Sequence, residues 1–140
     1  SDNQLIHSLT TDGRNYTLRV ELESYDDEFI FAVYNNFWIG PESDNYRLHV
    51  SGFSADITAG DSLRNHNNMI FTTRGHDNDL NKKNCATIYN APWWCLSCHY
   101  VFLTGKYGNN LSKARGIIWR NPWGYNKFAR SAAMMIHPNA

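Results

Sequence analysis

Residues 74–99 form the part of the chain that most constrains its fold. This stretch combines an acidic, asparagine-rich loop with all three cysteines, a Trp93-Trp94 pair and a histidine at position 99. The residues before it are interpreted as a scaffold. The residues after it are interpreted as a lid and a closing strand.

The acidic part of this stretch carries the residue types of a cation site. Asp77 and Asp79 stand two residues apart in a predicted turn, and the backbone carbonyls of Asn81 and Lys83 continue the same alternation. Calcium prefers oxygen ligands from carboxylates, amides, backbone carbonyls and water. The loop is not an EF-hand, because the glycine and glutamate of that motif are absent from their positions. Two interpretations stay open: a calcium site, and a solvated turn whose aspartate and asparagine side chains cap their own backbone.

The cysteines allow three interpretations. Cys95 and Cys98 have the spacing of a redox pair, but the βαβ setting of such motifs is absent. Cys85, Cys95, Cys98 and His99 offer the ligand types of a zinc site, although adjacent ligands are awkward for tetrahedral geometry. A disulfide between Cys85 and Cys98 would close a small loop around the tryptophan pair in an extracellular protein and leave Cys95 unpaired.

The scaffold is predicted to consist mainly of strands. Apolar and polar side chains alternate over residues 16–23, which is typical of a half-buried strand. Further strands are predicted at residues 29–34, 37–39, 46–51, 69–72, 116–119 and 132–137. Residues 35–38 are the best candidate for a helix, which is short.

Composition argues against recognition through bulk charge. The chain has 13 basic and 13 acidic residues and no formal net charge. This balance disfavours nucleic acid or a membrane surface as a partner. No apolar run approaches the length of a membrane span.

One motif suggests a hydrolase and is set aside. Gly60-Asp61-Ser62-Leu63 spells the nucleophile motif of an esterase class, which also needs a late Asp-x-x-His pair. No aspartate follows Asp79, and a serine without a positioned base is not activated. The segment is therefore interpreted as a structural turn, with His66 in an exposed loop, and the protein is not expected to be an enzyme.

Short segments across residues 5–138 together resemble the C-terminal part of the fibrinogen-related domain, the module of ficolins, tachylectins, angiopoietins, tenascins and fibrinogen chains. In family order, they are Asp44-Asn45-Tyr46-Arg47-Leu48, Ala59-Gly60-Asp61-Ser62-Leu63, Asp77-Asn78-Asp79, Asn84-Cys85-Ala86, Trp93-Trp94, Cys98-His99, Leu103, Gly105, Tyr107, Gly116-Ile117-Ile118-Trp119 and residues 134–138.

The resemblance implies an α+β, strand-dominated fold with a twisted antiparallel sheet and a loop-rich calcium and pocket subdomain. Residues 1–140 would form a single domain. Its parts are a central sheet subdomain (1–73), a calcium and ligand-pocket subdomain (74–130) and a closing strand that returns to the sheet (131–140). The family's own N-terminal subdomain would precede this chain, which is expected to be a fragment.

The resemblance also implies the roles of individual residues. One calcium ion is expected, held by side-chain oxygens of Asp77 and Asp79 and backbone carbonyls of Asn81 and Lys83. The disulfide is expected to join Cys85 and Cys98.

In lectin-like members, acetyl groups insert into a pocket beside the calcium site. Here that pocket would be lined by Tyr89, by His99 and by a cis peptide between Ser97 and Cys98 that directs an N–H at the acetyl oxygen. Lys113-Ala114 stands where those members often have Tyr-Ala, so part of the pocket wall differs. Residues 121–125 are predicted to form an aromatic turn next to the pocket.

The expected function is calcium-dependent recognition of acetylated glycans or amines, of the kind found in innate-immune lectins. The alternative is a protein-receptor or matrix-binding module of the angiopoietin or tenascin type. A secreted, extracellular location is expected, and Asn15 and Asn110 are candidate glycosylation sites because each begins an Asn-x-Ser/Thr triplet. Oligomers are expected only through segments upstream of this chain.

Overall fold

The alternating segment near the N-terminus forms one of the two inner strands of an antiparallel sheet. The computed structural model describes residues 2–54, 58–89, 91–108, 111 and 115–140. In chain order, its elements are α1 (Asp2–Thr10), β1 (Tyr16–Ser24), β2 (Phe29–Ile39), β3 (Leu48–Phe53), α2 (Cys85–Ile88), β4 (Val101–Phe102), β5 (Ile118–Trp119), α3 (Arg120–Trp123) and β6 (Ala129–Pro138). Short 3₁₀ turns lie at Glu42–Asp44 and Leu63–His66.

Four strands form the main sheet in the order β3-β2-β1-β6, and β4 pairs with β5 in a second, two-stranded sheet. The register places Leu18 opposite Tyr34 on β2 and opposite Ile136 on β6. Both neighbours of β1 run antiparallel to it, so the predicted class is confirmed as strand-dominated with an antiparallel sheet.

The core lies on one face of this sheet because the side-chain period of a strand is two. Leu18, Val20 and Leu22 are buried on β1, and they face Ile30 and Ala32 of β2 through the register. The loop-rich half of the chain covers this face with residues that include Leu63, Trp93, Phe102, Ile118 and Trp119. Residues that look irregular in sequence therefore supply much of the core.

The sequence prediction missed helix α1. His7 donates through Nδ1 to the carbonyl of Ile39 at 2.7 Å, and Thr10 Oγ1 accepts from the backbone N–H of Ile39 at 3.2 Å. Leu5 and Leu9 remain exposed, so the helix lacks the apolar stripe by which such elements are recognised. Polar contacts with the end of β2 hold this helix in place.

The helix predicted at residues 35–38 is wrong. These residues continue β2, which spans Phe29–Ile39 and absorbs the separately predicted strand at 37–39. Pairing of Phe37 with Val50 and of Ile39 with Leu48 extends the strand through this point. Tertiary pairing here overrides local sequence preference.

The other predicted strands vary in length. Those at 16–23, 29–34, 46–51 and 132–137 correspond to β1, β2, β3 and β6. The strand predicted at 69–72 is reduced to a single bridge between Thr72 and Trp93, and the one at 116–119 is reduced to β5. No helix among the described residues is long and apolar enough to cross a membrane.

Two glycines bring the lid segment against the second sheet. A Cβ atom built on Gly105 would lie 2.0 Å from the carbonyl oxygen of Gly116. The backbone of the segment that follows β4 therefore contacts the backbone of the segment that precedes β5. Only glycine allows this approach.

We predict that Gly105→Ala will destabilise the fold by about 2 kcal/mol or more, because the methyl group meets backbone that cannot move aside. Urea unfolding followed by tryptophan fluorescence will measure the loss. Gly75→Ala is the matched control, since a Cβ at Gly75 meets no atom within 4 Å. Equal stability of the two variants would contradict the prediction.

Candidate ligand-binding site

Hydrogen bonds and a disulfide fold the predicted acidic loop back onto the chain. Asp79 accepts hydrogen bonds from the backbone N–H of Asn81 at 2.9 Å and of Cys85 at 2.8 Å. Asn84 caps α2 by accepting from Thr87 N at 3.2 Å. Asn84 also donates to the carbonyl of Thr73 at 2.8 Å, which ties the start of α2 to the strand-like segment before the loop.

Cys85 and Cys98 form the predicted disulfide, with their Cα atoms 5.6 Å apart. The bond joins the start of α2 to the Ser97–Cys98 peptide, which is cis. Asn81 donates to the hydroxyl of Ser97 at 3.2 Å and so adds a second connection between the acidic loop and this peptide.

Cys95 is the free cysteine and is 1% exposed. Burial raises the pKa of its thiol to about 12, so it stays protonated at neutral pH. A buried, protonated thiol is a packing residue and not a nucleophile.

The acidic loop carries the types of oxygen ligand that calcium selects. Asp77 and Asp79 would supply two carboxylates, and Asn81 and Lys83 would supply backbone carbonyl oxygens. Burial, and to a smaller extent the charge of Asp77, raises the pKa of the Asp79 carboxyl group. Among the described residues no group of three or more His, Cys, Asp or Glu side chains is placed so that it could hold a metal ion. The ion would therefore depend on these two carboxylates together with carbonyls and water.

The predicted pocket residues that the structure describes lie together. The ring of Tyr89 meets the ring of His99 edge-on at 4.7 Å, and His99 stacks on Phe102 at 4.5 Å. His99 is 6% exposed, whereas Ser97 beside it is exposed. The accessible part of this surface is therefore made by Tyr89 and the Ser97–Cys98 segment, with His99 as their support.

Tyr125 and Arg115 extend the pocket, although the sequence analysis did not assign either residue to it. Tyr125, in the aromatic turn placed next to the pocket from sequence, donates through its hydroxyl to the carbonyl of His99 at 3.1 Å. The guanidinium of Arg115 lies 5.6 Å from the centre of the Tyr89 ring. No sequence motif marks Arg115, because its contact depends on the path of the preceding loop.

Three predicted positions, Asn110, Lys113 and Ala114, lie outside the described residues. Asn15, the other candidate glycosylation site, is exposed in the turn between α1 and β1. Ser62 of the esterase-like motif is 6% exposed, and its hydroxyl accepts from the backbone N–H of Asn121 at 2.9 Å. The motif is part of a turn that is hydrogen-bonded to α3.

The expectation that His66 lies exposed in a loop is wrong. Its side chain is fully buried, and Nε2 accepts hydrogen bonds from the backbone N–H groups of Tyr100 at 3.0 Å and Val101 at 3.1 Å. Nδ1 then carries the proton and donates to the carbonyl of Trp94 at 2.8 Å. The ring thus joins the chain on both sides of the cis peptide to the Leu63–His66 turn.

Comparison with known proteins agrees with this architecture. The family model described as "Fibrinogen beta and gamma chains, C-terminal globular domain" matches residues 2–139. The chain belongs to this family. Its resemblance to the fibrinogen-related domain is thereby confirmed.

Individual relatives and solved structures show how similar this fibrinogen C-terminal domain is to known proteins. It is 42% identical to Fibrinogen C domain-containing protein 1-B of Xenopus laevis, over 96% of this chain and 30% of that protein. It resembles the fibrinogen-like globe domain of human ANGPTL6 with a TM-score of 0.92 and 32% identity, covering 99% of this chain and 63% of that one. It also resembles lamprey fibrin D-dimer in complex with the peptide Gly-His-Arg-Pro-amide, with a TM-score of 0.85, 29% identity and coverage of 96% and 48%. The chain spans less than a third of the length of its Xenopus relative.

The buried His66 makes stability depend on pH. Burial lowers the pKa of its imidazole to about 4 in the folded chain, from an ordinary value of 6.5. As the pH falls below that ordinary value, the unfolded chain binds the proton before the folded chain does. The stability that the neutral, buried imidazole of His66 contributes is therefore fully present above about pH 6.5 and is lost as the pH falls towards 4.

We predict that this one group makes the free energy of unfolding fall by about 2 kcal/mol between about pH 7 and pH 5. His66→Gln should be less stable at neutral pH and should show a flatter dependence over this range. His76→Gln replaces an exposed histidine and should keep the wild-type slope. Urea unfolding at each pH measures all three proteins, and a wild-type slope in His66→Gln would contradict the assignment.

Proposed function

We propose that this domain is an extracellular recognition module that binds a protein or peptide ligand on the surface formed by Tyr89, Ser97, Cys98 and His99. The observation that carries the proposal is the cross-linked arrangement of this surface. The disulfide, the hydrogen bond from Cys85 N to Asp79 and the hydrogen bond from Asn81 to Ser97 hold the Ser97–Cys98 segment and the start of α2 in place before any ligand arrives. A preformed surface binds without the entropic cost of ordering its loops.

The relatives favour a protein or peptide as the ligand. Lamprey fibrin D-dimer, which shares this fold, is known in complex with a four-residue peptide amide. This chain shares that fold at 29% identity, so a short peptide is the class of ligand that this relative supports.

Recognition of acetyl groups is the second candidate function, and the Tyr89–His99 contact favours it. Two rings packed edge-on at 4.7 Å beside the exposed Ser97 offer an apolar wall to a methyl group. This pocket would serve acetylated glycans or amines. It would use the same residues as a peptide does, so elution of a bound peptide by free N-acetylglucosamine would favour this second function.

Calcium is part of the proposal because the loop that carries its candidate ligands also supports the binding surface. The residues expected to hold the ion are Asp77, Asp79, Asn81 and Lys83. When bound, the ion would offset the mutual repulsion of the two carboxylates. The ion would thereby make the acidic loop more rigid. The hydrogen bonds that Asp79 accepts from backbone N–H groups and the Asn81–Ser97 hydrogen bond connect this loop to the Ser97–Cys98 peptide, which would become more rigid as well.

We predict that calcium at about one hundred times its Kd will raise the free energy of unfolding by about 3 kcal/mol, and that a chelator will remove the gain. Asp77→Asn should lose most of this response, because it removes one of the two carboxylates while the Asp79 hydrogen bonds remain. Glu42→Gln removes an exposed acid in a distant turn and should respond as the wild type does. Melting curves with calcium and with chelator provide the measurement. An equal response in Asp77→Asn would contradict the ligand assignment.

We predict that random peptides displayed on phage will be enriched on the folded, calcium-loaded chain, and that free N-acetylglucosamine will not elute them. For a selected peptide, Tyr89→Ala should cost about 2 kcal/mol of binding, roughly thirtyfold in Kd, as truncation of a central aromatic residue commonly does. Tyr107→Ala is the matched control, since Tyr107 is exposed and lies outside the aromatic cluster.

A second variant keeps this test decisive if Tyr89→Ala does not fold. Ser97→Trp adds bulk at an exposed position and should block the ligand without removing a core contact. Failure to enrich any peptide, together with retention on acetylated resin and elution by the sugar, would overturn the peptide proposal in favour of acetyl recognition. Ser97→Trp binding that equals wild-type binding would show that the ligand lies elsewhere.

A further inference from the structure

A second, polar groove lies next to the aromatic turn and shares no lining residue with the Tyr89 surface. Its volume is about 360 Å³. Its walls come from the turn that contains the esterase-like motif, from α3 and from the residue after His99, and its lining residues are Asp61, Ser62, Arg64, Asn65, Tyr100, Arg120 and Asn121. Neither the predicted calcium site nor the predicted acetyl pocket includes any of them.

The groove carries two arginines whose charge is not neutralised by an ion pair. Within the described part of the chain, neither Arg64 nor Arg120 has a carboxylate within 4.0 Å, although five other basic side chains do: Arg14, Arg19, Arg47, Lys127 and Arg130. Asp61 is the acid in the lining, and its Oδ1 accepts from the Tyr34 hydroxyl at 2.8 Å and from Arg64 N at 3.2 Å. Two guanidinium groups against one carboxylate leave the groove with a net positive charge.

Arg120 is held in place without losing its hydrogen-bonding edge. Its guanidinium lies 4.6 Å from the centre of the Tyr100 ring and 5.9 Å from that of Tyr125. Ring faces orient a guanidinium through cation–π attraction, which leaves its N–H groups directed outward. Such an arginine is prepared for a bidentate bond to a carboxylate.

The walls of the groove are also fixed. The backbone of Asn121 accepts from Gly60 N at 3.0 Å and donates to Ser62 Oγ at 2.9 Å. Trp119 donates through its indole N–H to the carbonyl of Gly60 at 3.0 Å. These bonds hold the Asp61–Asn65 turn against α3, so the positions of Arg64 and Arg120 follow from the fold.

We propose that this groove binds an acidic side chain of a protein ligand, as a second contact beside the Tyr89 surface. Asn65 and Asn121 present amide groups that can pair with the backbone N–H and C=O groups of an extended peptide. Tyr125, which bonds to the carbonyl of His99, also contacts Arg120, so the two surfaces share this residue. The inference rests on the proposed function because it takes the ligand to be a peptide. It adds the requirement that this peptide contain an acidic residue.

The test uses two short probes that differ only in charge: the peptide amide Ac-Gly-Glu-Gly-Asp-Gly and its Gln/Asn counterpart. NMR with ¹⁵N labelling follows the side-chain Nε–Hε signals of Arg64 and Arg120, together with the backbone amides of Cys98 and His99. We expect the acidic peptide to shift the arginine signals in a salt-dependent way and the neutral peptide not to. Arg64→Gln and Arg120→Gln should each weaken binding about fivefold, the loss of one charge-assisted contact at an exposed site.

Arg14→Gln is the matched control, because it removes the same charge from an arginine that pairs with Asp12 in the turn before β1. Its binding should equal that of the wild type. If the acidic peptide leaves both arginine signals unchanged, the inference is overturned, and peptide binding at Tyr89 is unaffected by that result. If free glucuronate shifts them and the peptide does not, the groove serves an acidic sugar and the inference is also overturned.

Discussion

The pairing of β1 with β6 is the constraint on which the rest of the molecule depends. It joins residues near the start of the described chain to its last strand, from Tyr16 opposite Pro138 to Ser24 opposite Ala129. Everything between β3 and β6 is thereby closed into one long loop against the sheet. A loop of that length gives up considerable conformational entropy, which burial of its own apolar side chains must offset. That requirement explains why Trp93, Phe102 and Trp119 belong to the core although they lie outside the main sheet.

A few buried polar contacts determine how that loop folds. His66 satisfies three backbone groups, and a buried backbone group without a partner costs about 1–3 kcal/mol. Asp79 accepts from the backbone N–H of Cys85 at the start of α2, and Ser62 accepts from the backbone N–H of Asn121. The contacts of His66 and Ser62 join segments that are distant in sequence. Function and stability are therefore coupled, because the binding surface and the arginine groove depend on side chains that also satisfy backbone groups.

Sequence reasoning predicted those parts whose signal is local. The alternation over 16–23 indicated β1 because every second side chain faces the core, and the resemblance carried the disulfide and the set of residues around Tyr89. The helix predicted at 35–38 was wrong because pairing with β3 extends β2, and a single segment does not reveal its partner. The burial of His66 and the orientation of Arg120 were missed for a related reason. His66 bonds to Trp94 and Tyr100, which lie 28 and 34 positions away in the sequence. Arg120 lies over the rings of Tyr100 and Tyr125, which tertiary contacts bring to it.

The aromatic cluster limits what ligand can occupy both surfaces. Tyr89 packs on His99, His99 meets the ring of Tyr125, and the guanidinium of Arg120 lies 5.9 Å from the centre of the Tyr125 ring, so the cluster leads from the Tyr89 surface to the arginine groove. A ligand that spans the cluster should therefore place an acidic group towards Arg120. Because the chain has no net charge overall, this local charge provides orientation where bulk electrostatic attraction is absent.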